Sequence, residues 1–455
     1  MGGLTTTLLI GVQALEASQA ALTSTSNNIA NAGTPGYTRE VAQFSANGEN
    51  LNGQTLTGGG VTLTGIQSVR DELLNLQIQQ QTSLQSSAGT QSSLLQQIQS
   101  YFASTGNDIA TTLSAFSSSL AQLSANPSSA AVQQGVLSAG QNLAQSFNNT
   151  ANGLTTAQTN ADQQVTQTVA QINTLTAQIA QLNSQLTPSV MSQQNGGTIQ
   201  DRRDQLVQQL SQLVGISVSQ SSGGEVITTA NGSPLVMGSQ SSQLQTTTGT
   251  DGFQQVLDSN GNNITNAIQG GQLGGAIQMR DQTIPGFLNS LDTMASQFAT
   301  AFNAAQAQGY DSNGNAGQNF FSIPAGTTGA AAGIKVALTS GSQVAVSSDG
   351  SSGSNGNVAN LSAALTNALP SGQPIAGAYS TLVFNVGNAA SGASAQSSAV
   401  GQSLLQLTNQ QSAVSGVNID EETTNLIRYQ TAYEAAARIV STMQAISTAT
   451  INMLP

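Results

Sequence analysis

Two narrow apolar seams at opposite ends of the chain constrain its fold more than any other feature. Leu8, Leu15, Leu22 and Ile29 recur every seven residues, with Val12 at an intervening position, on a segment that is otherwise polar and alanine-rich. At the far end Leu426, Tyr429, Tyr433, Ala436, Val440, Met443, Ser447, Thr450 and Leu454 follow at alternating three- and four-residue spacing. At about 1.5 Å per residue each helix would run about 40 to 50 Å, with an apolar face too narrow to be stable alone. Each seam needs a helical partner, and the two ends supply one another. The first seam stops sharply. Gly33 suits the left-handed conformation that ends a helix, and Pro35-Gly36 presets a tight turn before Tyr37.

Composition excludes more than it suggests. The 455 residues suffice for about two to four domains, and 38% apolar residues is low but adequate for packed cores. Only 6% of residues are charged, and 8 basic against 20 acidic ones give a formal net charge of -12, which repels phosphate backbones. Nucleic-acid binding is not expected. Cysteine, histidine and tryptophan are absent, which removes disulfides, thiolate chemistry, imidazole metal ligands and every Ser-His or Cys-His nucleophile pair. The amino terminus has neither a basic n-region nor a long apolar run, so neither a cleaved signal peptide nor a membrane span is expected there.

The pattern along the chain predicts an α+β, multidomain protein: paired terminal helices, a helical bundle body and inserted β-rich outer domains. Residues 1–40 and 416–455 form the terminal coiled-coil domain, and the Gly-, Asn- and Thr-rich stretch 41–64 is an extended or hairpin connector. Residues 65–215, 272–309 and 383–415 form the helical body. Within it a helix is expected from Ile66 to about Gln85, a stop at Asn126-Pro127, and a long antiparallel coiled pair in the regular spacing of Val165, Val169, Ile172, Leu175, Ile179, Leu182 and Leu186. A break at 188–197 precedes a short helix starting at Asp201. Residues 216–271 change to period two, with Asn231-Gly232 and Asn260-Gly261 as hairpin turns, and form a β-rich outer domain. A kink or a second helix start is expected at Pro285. The Gly- and Ser-rich stretch 310–382 is assigned to a second outer subdomain or an ordered insertion.

Few constellations could carry chemistry. Asp311, Asn313, Asn315 and again Asp258, Asn260, Asn262 imitate the start of a calcium loop, but the sixth position lacks Gly and the twelfth lacks Glu, so turn formation is the better reading. The Asp201, Arg202, Arg203, Asp204 cluster suits helix capping and ion pairing. Asp420, Glu421 and Glu422 stand where carboxylates complement a helix dipole. No catalytic, metal or cofactor-binding residue is assigned, and no cofactor is expected. A carboxylate-based glycan hydrolase is the enzymatic alternative, since such chemistry needs neither histidine nor cysteine, but no separated acid pair stands out.

Ser26-Asn27-Asn28-Ile29-Ala30-Asn31 and Thr34-Pro35-Gly36-Tyr37-Thr38-Arg39 resemble the amino-terminal signature of flagellar rod, hook and hook-associated proteins. Asn27, Asn28, Asn31, Pro35, Gly36, Tyr37 and Arg39 carry that motif. GTIQDRRDQLVQQLSQLVGISVS, NGSPLVMG and the stretch from Gly270 to Phe321 resemble more narrowly the hook-associated protein 1 branch, and Ser415 to Ser447 agrees. The resemblance implies a structural adaptor at the hook-filament junction of the bacterial flagellum, assembled as a ring through its terminal helices. It implies Leu8, Val12, Leu15, Leu22, Ile29, Leu426, Tyr429, Tyr433, Val440 and Met443 as assembly-interface residues. The implied partners are other copies of the chain, the hook protein, a second junction protein and a cytoplasmic export chaperone at the carboxy-terminal region, with no membrane insertion. Type III export without a cleaved signal peptide and an extracellular location follow from the same likeness. A homopolymeric hook or rod subunit is the alternative within the family.

Overall fold

The structure, a computed structural model, describes residues 2–452 apart from 49, 53–54, 103–105, 187–195 and 222–223. Leu454, expected to end the second seam, and most of the expected break at 188–197 lie outside the described residues. Helix α1 (Gly2–Asn31) leads into a long antiparallel hairpin, β1 (Glu40–Ala46) with β4 (Val61–Ser68), whose tip carries the short pair β2 (Asn50–Asn52) and β3 (Thr55–Thr57). The hairpin extends past the expected connector, so Ile66 lies in a strand and the next helix, α2 (Glu72–Phe102), starts later than its apolar spacing predicted. Ile66 pairs with Ala42 across the hairpin, a ladder contact that overrides the helical periodicity it shares with the residues after it.

The body follows as α3 (Ile109–Ala125), α4 (Ala130–Gln185) and α5 (Gly196–Leu213). Asp108 caps α3 by accepting a hydrogen bond from the Thr111 amide at 2.9 Å, and Asn126 closes it before Pro127. The distal half of α4 finds its helical partner in the much shorter α5 and not in a helix of its own length. Val165, Val169, Ile172 and Ile179 pack instead with Leu206, Val207 and Leu210 of α5 and with Ile227, Leu235 and Val236 of a small sheet. That sheet runs β5 (Ile216–Ser221), β6 (Gly224–Thr229), β7 (Pro234–Met237), β8 (Gln240–Ser241), all antiparallel, and a separate pair joins β9 (Gln245–Thr248) to β10 (Gln254–Leu257). The Asn231-Gly232 turn joins β6 to β7 with Gly232 at φ 89°.

Asp258-Ser259-Asn260-Gly261-Asn262 and Asp311-Ser312-Asn313-Gly314-Asn315 are the same pentapeptide and fold the same way. Each aspartate Oδ1 accepts the backbone amides two and four residues on, and each glycine takes a positive φ, 82° and 78°.

Helix returns at α6 (Gly271–Gln278), passes through a π turn (Met279–Thr283) and continues as α7 (Ile284–Gln306). Pro285 cannot donate to the carbonyl four residues back, and the chain relaxes into one wide turn in which the Ile284 amide reaches Met279. This turn holds Arg280, 2% exposed, whose guanidinium pairs with Asp162 at 2.7 Å and Asp281 at 2.6 Å and donates to the Gln254 carbonyl. One side chain thus ties α4, β10 and the α6–α7 column together.

Residues 310–382 do not form a separate subdomain. Phe320, Phe321, Ile334, Leu338, Val344 and Leu361 share one core with α2, α3, the first half of α4 and α7. Phe116, Phe298, Phe302, Phe320 and Phe321 meet there with centroids 4.8 to 6.1 Å apart. Gly140 of α4 makes room, since a Cβ there would sit 2.5 Å from the Phe320 ring. The segment has little ladder of its own beyond β11 (Phe321–Ser322) with β12 (Lys335–Val336), around the short helix α8 (Ala330–Gly333). Side chains hold it instead. Asn303 accepts from the Phe321 amide and donates to its carbonyl, Asp292 accepts the amides of Gly329 and Ala331, and Asn357 donates to Ala305 and Ala345. After α9 (Val358–Thr366), helix α10 (Ile375–Ser415) begins earlier than expected and packs along α2, and α11 (Ile419–Asn452) packs along α1.

Replacing Phe302 by Ala should cost roughly 3 to 5 kcal/mol of body stability in urea unfolding, because the cavity opens inside a closed ring of phenylalanines. Arg280→Ala should cost about 3 kcal/mol or more by leaving Asp162 and Asp281 without their cation. Amide exchange should then rise selectively across 245–268, and equal protection of that stretch in variant and parent would contradict the clasp.

Candidate assembly interface

The terminal pair is built from small residues where its helices are closest. Gly11 lies against α11, and a Cβ there would stand 3.0 Å from Val440 Cγ2. The buried positions of α1 are Gly11, Ala17, Ala20, Ala21, Ser24, Thr25 and Asn28, and those of α11 are Glu422 and Ala436. The expected seam residues Leu8, Leu15, Leu22, Ile29, Leu426, Tyr429, Tyr433, Val440 and Met443 are all half-buried, and Val12 is exposed. The seam is thus a partly covered stripe, and the alanine and glycine positions between its leucines were not singled out. Their three- and four-residue spacing from Gly11 through Ala14, Ala17 and Ala21 is the signal that could have found them.

A second apolar set lies open. Leu9 is 55% exposed, Ile427 59% and Ile451 61%, with Ile419, Ile439 and Ile446 exposed on the same two helices. A single chain leaves these surfaces uncovered over helices of 30 and 34 residues.

At the base of the pair the motif residues form a joint to the body. Asn28 is the hub: its Oδ1 accepts the Glu40 amide and the Tyr37 hydroxyl, both at 2.9 Å, and its Nδ2 donates to the Glu40 carbonyl at 2.8 Å. Ser24 donates to the same carbonyl at 3.0 Å. Asn31 donates to the Asn27 carbonyl at 3.0 Å, closing the last turn of α1. Gly36, not Gly33, supplies the left-handed residue: φ is 77° and the Tyr37 amide reaches the Thr34 carbonyl at 3.2 Å, a type II turn with Pro35 and Gly36 at its centre. Gln205 of α5 donates to the Pro35 carbonyl at 2.7 Å, lying where any Gly36 side chain would be.

Ion pairs surround this hub. Arg39 pairs with Glu421 of α11 at 3.0 Å, and its amide donates to Ser415. Arg70 pairs with Asp201 and Asp204 of α5 and donates to the Gly197 carbonyl, while Arg203 reaches Glu225 of β6 at 3.0 Å. The pairing expectation for 201–204 therefore holds, but capping does not: α5 begins at Gly196, and Asp201 spends Oδ2 on the Thr38 amide at 3.1 Å. Burial raises the Asp201 carboxyl above its ordinary range despite Thr38 and Arg70. Burial and the Asp201 charge do the same to Glu40. Burial, then the carboxylates of Glu40, Asp201 and Glu422, push the Tyr37 phenol well up, so it stays a hydrogen-bond donor to Asn28. Among the described residues no group of carboxylates is placed to hold a metal ion, and no helix is long and apolar enough to cross a membrane.

A scan for known families matches residues 95–321 to the flagellar hook-associated protein FlgK helical domain, 410–453 to the flagellar basal body rod FlgEFG protein C-terminal family, and 8–38 to the flagella basal body rod protein family. Flagellar hook-associated protein 1 of Bacillus subtilis is 30% identical, covering 97% of this chain and 96% of its own, and that of Salmonella typhimurium is 28% identical over 96% and 98%. The structure of the flagellar hook junction protein FlgK from Burkholderia pseudomallei superposes with a TM-score of 0.67 at 19% identity, over 75% of this chain and all of that one, and so shares its fold. On this near full-length likeness, the chain belongs to the flagellar hook-associated protein 1 family.

Proposed function

We propose that the chain is a non-enzymatic adaptor at the hook-filament junction of the bacterial flagellum, joining the hook to the next junction protein as a ring of copies. Membership of the hook-associated protein 1 family carries this reading. The exposed apolar row on α1 and α11 supports the ring, because it gives neighbouring copies a surface that a single chain leaves wet. The expected seam residues and the motif residues at the joint would then act together, one set pairing the helices and the other fixing their direction against the body. Export through the flagellar type III apparatus, with a chaperone at the carboxy-terminal region, is proposed on the family alone. The basal body rod likeness of both ends keeps a tube-forming rod or hook subunit as the second reading.

Assembly proceeds in this proposal by coupled folding. Half-buried seams at about 25 cal/mol per Å² do not offset backbone ordering at about 1 to 2 kcal/mol per residue, so the terminal helices gain their full order between copies.

Leu426→Asp or Val440→Asp should leave the body folded by circular dichroism yet abolish filament attachment, since either places an unpaired charge in the seam. Normal attachment in cells carrying either change would contradict the interface. Residues 5–30 should exchange their amides rapidly in the isolated monomer and slowly in assembled junctions. Strong protection in the monomer would count against coupled folding. Purified protein forming long tubes instead of rings would favour the second reading.

A further inference from the structure

The joint gathers buried charge from several of the elements that meet there. Glu40 of β1, Asp201 of α5, Glu225 of β6 and Glu422 of α11 are all buried. Arg39, Arg70 and Arg203 lie among them, but Arg39 goes to the exposed Glu421, and Arg70 and Arg203 are each shared between two carboxylates. Glu72 at the start of α2 and Asp204 of α5 add negative charge beside Glu225. Asp71 caps α2 through the Leu74 amide, and Arg202 and Asp420 are exposed. β4, the second half of α1 and the whole of α10 bring no charge. Carboxylates thus outnumber arginines at the joint, and Glu40 stands at its centre. Its backbone is held by Asn28, and its Oε1 lies against the first turn of α5, where a Cβ on Gly197 would fall 2.2 Å away. A cleft of about 540 Å³ lined by Glu40, Ser68, Arg70 and Gly197 gives solvent protons a path to this carboxyl. Burial, with the charge of Asp201 added, raises the Glu40 carboxyl although Arg70 pulls the other way. Burial also raises Asp201, against Thr38 and Arg70, and Glu225, against Arg203.

We propose that the joint is a proton-operated clamp, loose above neutrality and tightened by mild acid, which sets how firmly the body holds the terminal pair. The Glu40 carboxyl and the backbone groups that Asn28 captures belong to one residue, so repulsion at the carboxyl works directly against the bonds that reverse the chain. A proton on Glu40 removes one buried negative charge and leaves the Arg70–Asp201 pair intact. The folded joint then binds protons that the unfolded chain releases at the same pH. Its stability therefore rises as pH falls toward the ordinary carboxyl range of about 4, and is lost as pH climbs through the raised values. Below about pH 4 the unfolded chain is protonated too, and the gain ends. The clamp is a property of the fold and does not rest on the junction reading.

The test is amide hydrogen exchange of the full chain at pH 8 and pH 5, with each rate corrected for chemical exchange at that pH. The amides to follow are those of Arg39 and Glu40, donated to the Ser415 carbonyl and to Asn28 Oδ1, neither of which titrates. Their protection should rise severalfold from pH 8 to pH 5, and by more than any rise at Phe116 and Phe302 in the core. Glu40→Gln should bring protection at pH 8 up to the parental level at pH 5 and remove most of the slope. Glu434→Gln, which removes an exposed carboxylate further along α11, should leave the parental profile unchanged. A parental profile that is flat, or that falls on acidification, would overturn the clamp without reference to any variant. Equal rises at the joint and in the core would also overturn it, since they would reflect relief of the overall charge of -12. So would a Glu40→Gln chain that keeps the full parental slope, or one less protected than the parent at both pH values, where the carboxylate would be a structural anchor.

Discussion

One asparagine side chain decides how the two halves of this molecule meet. Asn28 stands near the end of α1 and captures both backbone groups of Glu40 together with the Tyr37 hydroxyl. Those three bonds fold the chain back on itself through the Pro35-Gly36 turn and start the β1–β4 hairpin beside the helix that precedes it. Everything else at the joint depends on that reversal: Arg39 can reach Glu421, Thr38 can reach Asp201, and Gln205 can close over Pro35. A shorter side chain at Asn28 would leave the Glu40 amide without its acceptor in a buried place and the Glu40 carbonyl with Ser24 alone.

Charge is rare in this chain, and it is concentrated. Arg39, Arg70 and Arg203 are spent on the joint, and Arg280 on the clasp between α4, β10 and the π turn. Elsewhere neutral amides do the work that ladders and ion pairs do in other proteins. Asn303, Gln306 and Asn357 hold the segment after α7, and Asn148 donates to the carbonyls of Ala331, Ala332 and Ile334. Such bonds change little with salt or moderate pH, so the electrostatically sensitive parts of the molecule are the two places where arginines are buried.

The terminal pairing was legible because a heptad seam is a local pattern that names its own need for a partner. The Asn231-Gly232 turn was legible for the same reason, its chemistry lying in two adjacent residues. Residues 310–382 were not legible, because their order comes from Asp292, Asn303, Gln306 and Asn357 and from Phe116 on a distant helix, none of which leaves a periodic trace in the segment itself. The helix stops at Asn31, beside Gly33, but the left-handed position falls three residues later on Gly36, because Pro35 sets the turn. At the joint the motif was visible as a likeness, but the hub role of Asn28 and the pairing of Arg70 with α5 required the fold.

The central claim is that the terminal pair is a half-finished surface, complete only between copies, and that the joint aims it. A density map of the assembled junction tests this most directly. The account predicts α1 and α11 side by side in each copy, with Leu9, Ile427, Ile439, Ile446 and Ile451 covered by helices of neighbours. A map in which those side chains face open solvent, or in which α1 and α11 of one chain are apart, would contradict it.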